Sequence, residues 1–245
     1  KPTLRLLHNM ARSGGTLVSK CLATMDSTLL LSELHPSGME MFHPLKQAHD
    51  WFQLFSADDL IEWIGKPISF PNAIALIQKR AEERGLNLVV RDWAHLDFTG
   101  VPFISQPSYR LETAEVLADK FRLVQMAVVR HPIDQWLSVS TRTVARDQLS
   151  VEEFLRGYLE FARQCRDIGF IRYEDFTHDP DAQLQTLCQK LELTFDPEYK
   201  NRWMHYDKIT GDRSTATTIE PRQRKEIDPE LLAQFENNEH YQEAI

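Results

Sequence analysis

At 245 residues, with 42% apolar and 26% charged side chains, the chain has ordinary globular composition and room for one sizeable α/β domain. Its formal net charge of −8 excludes nucleic acid as the main partner, because a phosphate backbone calls for a basic surface; a small basic pocket for an anion stays compatible with it. Three widely spaced cysteines (Cys21, Cys165 and Cys188) form neither a zinc spacing nor a disulfide framework, and point to a reducing compartment, the cytoplasm. No apolar run approaches the roughly 18 residues of a membrane span, so no membrane partner is expected of this chain. It begins at Lys1 rather than Met, which leaves room for an upstream leader or anchor.

The stretch LRLLHNMARSGGTLVSKCL, residues 4–22, reads as a strand over 4–8, a glycine turn, and a helix over 15–25. That is the outline of a phosphate-binding loop without the G-x-x-x-x-G-K-[ST] pattern of nucleoside triphosphatases; Lys20 stands one turn too far along. Gly14 and Gly15 let the backbone turn tightly and approach an anion. The helix start, Gly14, Gly15, Thr16 and Leu17, offers free N–H groups and a positive dipole end. Arg12, Ser13 and Thr16 add a charge and two hydroxyls. The alternative is a plain turn with Arg12 in solvent.

A second apolar strand over 29–34 leads into SELHPSGMEMFHP, with Glu33 and His35 at its carboxyl end and His43 in the loop beyond. Amphipathic helical periods follow over 44–65 and 72–84. Their aromatics (Trp51, Phe52, Phe55 and Trp63) suit either core or the roof of a pocket. A third strand over 86–91 runs into LVVRDWAHLDF, a cluster carrying Asp92, His95 and Asp97. After a helix over 111–121, the strand over 123–130 ends in AVVRHPIDQWLSVS. Arg130 at a strand's carboxyl end can fork two hydrogen bonds onto a phosphate, with His131 and Ser138 adding contacts. The alternative is that Asp134 satisfies Arg130. The helix of Ser138 is expected over 133–146.

Ser150-x-x-Glu153 is a capping box opening a helix over 150–167. A fifth strand covers 169–173, with Tyr173 and Glu174 at its end, and Pro180 opens a helix over 179–191. Residues 207–228 are polar, rich in Thr and Arg, and read as a long binding loop. The alternation of strands and helices predicts an α/β fold of the P-loop type: a doubly wound, mainly five-stranded parallel sheet flanked by helices. Its ligands are expected outside the carboxyl ends of the strands. The organisation expected is one domain over 1–245 with a helical insertion at about 40–85.

Three features taken together, the loop ARSGGT, the R-H-P-x-x-x-x-x-S spacing of Arg130 and Ser138, and Lys208-x-x-Gly211-Asp212-Arg213, resemble the sulfotransferases that use 3′-phosphoadenylyl sulfate, PAPS. The resemblance spans roughly residues 4–214. It implies that Arg12, Ser13, Gly14, Gly15, Thr16 and Leu17 bind the 5′ phosphosulfate. It implies further that Arg130 and Ser138 bind the 3′ phosphate, and that Lys208, Gly211, Asp212 and Arg213 cover it. Arg12 stands where a lysine is common, to neutralise charge on the bridging oxygen as the bond to sulfur breaks. The product would be adenosine 3′,5′-bisphosphate, PAP, and no metal is needed.

Many members carry a catalytic histidine two residues beyond a lysine on the third strand. Here Arg91 takes the lysine's place and Trp93 the histidine's, so the pattern is departed from. Three residues stand as general base: His95 foremost, whose ordinary pKa suits neutral pH, then Asp92 and Glu33. The expected acceptor is the hydroxyl or amine of a small molecule, such as a specialised metabolite, and neutral or cationic given the acids on the acceptor side. An ATP-dependent phosphotransferase and a non-catalytic nucleotide-binding protein are the competing readings. Neither the acceptor nor the oligomeric state is written in the sequence.

Overall fold

The five apolar runs become β1 (Thr3–Asn9), β2 (Thr28–Leu34), β3 (Asn87–Asp92), β4 (Arg122–Val129) and β5 (Phe170–Arg172). A computed structural model describes residues 1–63, 66–142, 148–211 and 216–245. All the pairings are parallel, in the order β2-β3-β1-β4-β5. Both faces are buried, which is why these strands are continuously apolar instead of alternating. Leu4 and Leu6 of β1 enter one apolar layer and Leu7 the other.

The first layer is closed by α4 (Phe70–Glu83) and α8 (Val151–Ile168), through Ile74, Ile77, Phe154 and Phe161. The second is closed by α1 (Gly15–Ala23) and α10 (Pro180–Lys190), through Val18, Leu22, Leu184 and Leu187. Each such side chain stabilises the fold by about 1.5–3 kcal/mol relative to exposure. The three cysteines are free and buried; Cys21 and Cys188 lie in the second layer and Cys165 in the first. Ser150 and Glu153 form the reciprocal capping box expected at the start of α8.

Several elements differ from the sequence reading. The helix expected over 44–65 is two, α2 (Pro44–Phe52) and α3 (Ala57–Trp63), because Gln53 turns left-handed at φ 48°. Short helices α5 (His95–Thr99), α6 (Glu112–Leu117) and α7 (Pro132–Val139) follow β3 and precede and follow β4. The strand expected to reach Tyr173 stops at Arg172, and Tyr173–His178 is helix α9. After α11 (Tyr199–Arg202), no helix or strand occurs among the described residues of 207–228. The chain then forms α12 (Pro229–Glu236) and α13 (Glu239–Ala244), each capped by an Asx side chain. No helix among the described residues is long and apolar enough to cross a membrane.

Candidate active site

The loop between β1 and α1 is shaped from inside. The backbone N–H and the hydroxyl of Ser13 both donate to the Met10 carbonyl, at 3.3 and 2.8 Å, and this closes the turn. Ser13 is thereby buried, with its hydroxyl spent on the turn. Gly14 sits at φ 91°, and a Cβ there would fall 2.0 Å from the ring of Tyr173. A Cβ on Gly15 would fall 2.3 Å from the side chain of Asn9. Both glycines are thus required by close approach as well as by the turn. Gly14 at the N-cap offers no side chain to cap α1, so the first N–H groups of the helix have no capping side chain from it.

At the carboxyl ends of the strands this loop borders a cavity of about 730 Å³. Arg12, Gly14, Gly15, Thr16 and Leu17 line it, together with Glu33, Arg130 and Gly211. Arg12 Nε donates to Ser138 Oγ at 2.9 Å, which joins the loop to α7. Arg130 Nη1 donates to the Arg12 carbonyl at 3.2 Å, and its guanidinium lies 5.1 Å from the centroid of the Tyr173 ring. Arg130 Nε is buried and has no hydrogen-bond partner among the described residues. Asp134 is not the partner of Arg130: it is held by Arg224 through three contacts of 3.1–3.2 Å.

Glu33 owes its aim to a β-bulge. The β2–β3 register shifts between Ser32 and Leu34, and Glu33 between them adopts φ 55°. The bulge turns its carboxylate into the cavity. Arg91 Nη2 lies 3.2 Å from Glu33 Oε1. The same guanidinium donates to Thr16 Oγ1 at 3.0 Å and to the carbonyl and hydroxyl of Thr210 at 3.2 and 3.0 Å. Burial lowers the pKa of Arg91 from its ordinary value, against the pull of Glu33 and Asp92. Its Nε has no hydrogen-bond partner among the described residues. Thr210 is bound as well to Ser32 Oγ, at 2.6 Å through its hydroxyl.

The other two candidate bases do not line the cavity. His95 opens α5 and is buried, with both ring nitrogens 3.1 Å from Thr99 Oγ1. Burial pushes its pKa down to about 4. Asp92 is buried against His8, on the sheet face opposite to that of Arg91. Burial lowers the pKa of His8, but the Asp92 carboxylate outweighs it and the net direction is up. Lys208 does not line the cavity; its ammonium lies 4.9 Å from the centroid of the Phe52 ring. Asp212 and Arg213 lie outside the described residues.

Other residues join the site that the sequence reading left aside. Lys20 is four residues past Thr16, so the helix period brings it to the same side of α1; it lines the cavity, 5.7 Å from the centroid of the Trp203 ring. Arg142 and Arg222 line the cavity too. Tyr173, placed by the sequence at the end of the fifth strand, lies against both Gly14 and Arg130. Among the described residues the grouping with metal-ligand proximity is His35, Asp97 and Glu112. There His35 Nδ1 accepts from the Ser37 N–H at 3.1 Å, so Nε2 carries the proton and donates to Asp97 at 2.9 Å. Neither ring nitrogen is then free to ligate, and burial raises Asp97 to about 6.

No family model and no curated protein matches the sequence. Solved structures do. The sulfotransferase domain from the curacin biosynthetic pathway is similar over 100% of this chain and 96% of its own, at 18% identity and a TM-score of 0.66. A sulfotransferase from Alicyclobacillus acidocaldarius is similar over 84% of this chain and 90% of its own, at 11% identity and a TM-score of 0.44. The mouse sulfotransferase SULT7A1, complexed with PAP, is similar over 96% of this chain and 82% of its own, at 12% identity and a TM-score of 0.48. With its five parallel strands, its glycine loop after β1 and a likeness covering the whole chain, this protein has the sulfotransferase fold.

Proposed function

We propose that the protein is a sulfotransferase that moves a sulfuryl group from PAPS to a hydroxyl or amine of a small molecule and releases PAP. The observation that carries this reading is the joining of Arg12, Arg130 and Ser138 at one glycine loop, beside a cavity lined, among the described residues, by six cationic side chains against two carboxylates. A chain with a net charge of −8 that concentrates cations in one cavity is suited to a strongly anionic ligand.

The residues fit the donor. A Cβ at Gly14 would collide with the Tyr173 ring and one at Gly15 with the Asn9 side chain, so the loop backbone that borders the cavity needs both glycines, and Arg12, Arg91 and Arg130 line the same cavity. The loop N–H groups and Thr16 would hold the phosphosulfate. Arg130 would hold the 3′ phosphate, with Ser138 beside it. Gly211 borders the same cavity, and Lys208, Asp212 and Arg213 belong to the segment that would cover the nucleotide. PAPS supplies an activated sulfuryl group bonded to phosphate through an oxygen.

Glu33 is the general base in this reading. It alone of the three candidates lines the cavity. It takes the acceptor's proton as the acceptor oxygen or nitrogen bonds to sulfur. Arg12 meets the charge left on the phosphate oxygen when the bond from that oxygen to sulfur breaks. Arg91 holds the Glu33 carboxylate toward the loop at 3.2 Å. The three free, buried cysteines suit a reducing cytoplasm.

One observation favours phosphoryl transfer instead: Lys20 lines the cavity. Thermal shift separates the two readings, because a ligand that binds the folded state raises the midpoint with its affinity. PAP is expected to stabilise the protein strongly, and ATP with magnesium or AMP weakly. Stabilisation by ATP with magnesium alone would overturn the sulfotransferase reading. PAP binding without turnover on any acceptor would leave a nucleotide-binding protein.

A further inference from the structure

The loop before α1 is braced by a neighbouring helix. Arg12 has φ 65°, a left-handed conformation uncommon for a residue with a side chain. Such a conformation persists where its surroundings over-determine it. Three bonds to the end of β4 and to α7 do so. Gln135 Nε2 donates to the Ala11 carbonyl at 2.8 Å, just before Arg12. Arg130 Nη1 donates to the Arg12 carbonyl at 3.2 Å, just after it. Ser138 Oγ accepts from the Arg12 side chain at 2.9 Å. Gln135 and Ser138 are three residues apart and so share a face of α7. That helix is itself anchored, by the bond from the His131 N–H to Glu174 at 2.9 Å and by the ion pair of Asp134 with Arg224.

Arg130 and Ser138 have ligand roles in the reaction proposed above, and Gln135 has none. Gln135 is 1% exposed and does not line the cavity, whereas Ala11 and Arg12 do. Any effect it has on a ligand therefore passes through the loop. A peptide unit is rigid, so a buried amide that donates to the Ala11 carbonyl fixes the plane of the whole Ala11–Arg12 peptide. We propose that Gln135 is a positioning residue that keeps Arg12 left-handed and so holds the loop ready for the 5′ phosphosulfate before the donor binds. Without this bond the Arg12 backbone relaxes toward the common conformations, and a ligand must first restore the loop. Its apparent affinity then falls in proportion to the fraction of molecules in which the loop is formed. The proposal rests on the sulfotransferase reading and adds to it a residue outside the cavity.

The test is calorimetric titration of PAP, AMP and adenosine 3′-phosphate into the parent, Gln135→Met and Gln135→Leu. Both variants fill the space of the glutamine and lack its N–H. PAP and AMP, which carry a 5′ phosphate, are expected to bind both variants about tenfold more weakly. Adenosine 3′-phosphate leaves the loop empty and is expected to bind the variants as tightly as the parent. A merely structural role would not produce that split. Without ligand, amide hydrogen exchange at residues 12–15 is expected to quicken about tenfold in both variants, with exchange in β1 and β4 unchanged. Parental affinity for PAP and AMP in both variants overturns the proposal and leaves the donor assignment intact. Equal weakening of adenosine 3′-phosphate, or failure of both variants to fold, overturns it as well, because Gln135 is then a general support of the fold. A parent that PAP does not stabilise sinks the sulfotransferase reading itself, and this inference with it.

Discussion

Arg91 and Glu33 meet at 3.2 Å across a β-bulge, one at the end of β3 and the other in a left-handed residue of β2. A non-glycine residue in that region is strained, and such strain persists where the surroundings over-determine it. Here the Arg91–Thr210–Ser32 bonds supply the constraint. Glu33→Gln keeps the shape of the side chain and removes its basicity. It is expected to lower kcat by at least about a hundredfold with the PAP thermal shift retained. A variant with parental kcat would remove Glu33 from the mechanism.

Arg130 has a buried Nε without a partner among the described residues and a guanidinium stacked on Tyr173. Arg130→Ala is expected to weaken PAP by about ten- to a hundredfold, the scale of a lost charged hydrogen bond. AMP, which lacks the 3′ phosphate, should bind the variant and the parent alike. Calorimetric titration of both nucleotides checks this, and an equal loss for AMP would move Arg130 away from the 3′ phosphate.

Gly14→Ala should be among the most damaging single-methyl changes in the molecule. The new Cβ would lie 2.0 Å from the Tyr173 ring, at φ 91°. Overpacking of this kind costs about 1–3 kcal/mol, and the left-handed backbone adds to it. The expected outcome is a lower unfolding midpoint together with loss of PAP binding. An unchanged midpoint with normal PAP affinity would show that the loop can move aside.

His95 predicts a pH dependence of stability. Its pKa is depressed by burial from the ordinary 6.5 to about 4 in the folded protein. The folded state therefore resists a proton that the unfolded chain accepts. The stability tied to neutral His95 is fully present above pH 6.5 and is lost as the pH falls from 6.5 through 4. The loss is on the order of 3 kcal/mol. Chemical denaturation at pH 7 and pH 4.5 should show a smaller difference for His95→Asn than for the parent. Because His95 does not titrate near neutrality, the pH profile of kcat should survive the substitution; loss of its inflexion in His95→Asn would restore His95 as the base.

The strands and the glycine loop are legible in the sequence because each rests on local chemistry: continuous apolar runs for a sheet covered on both faces, and two glycines where backbone must approach closely. The identity of the base is not legible in the same way. His95 looks suitable by residue type, but the helix it opens carries its ring into the interior. Glu33 looks like an ordinary strand-end carboxylate, and only the register shift beside Ser32 aims it at the cavity. Lys20 could have been found from the helical period, four residues past Thr16, by asking which side of α1 it shares instead of how far along it stands. Arg224 took Asp134 from Arg130 across 90 residues of sequence, a pairing that no local pattern announces.

The placement of the cysteines makes the two sides of the sheet separately observable. Cys165 lies on one side, Cys21 and Cys188 on the other, and all three are free and buried. A thiol reagent in solution can reach each only when the layer above it opens. Its rate of modification at Cys165 is therefore a clock for departures of α8, and its rate at Cys21 and Cys188 a clock for departures of α1 and α10. A nucleotide seated on the loop before α1 should slow the second clock more than the first.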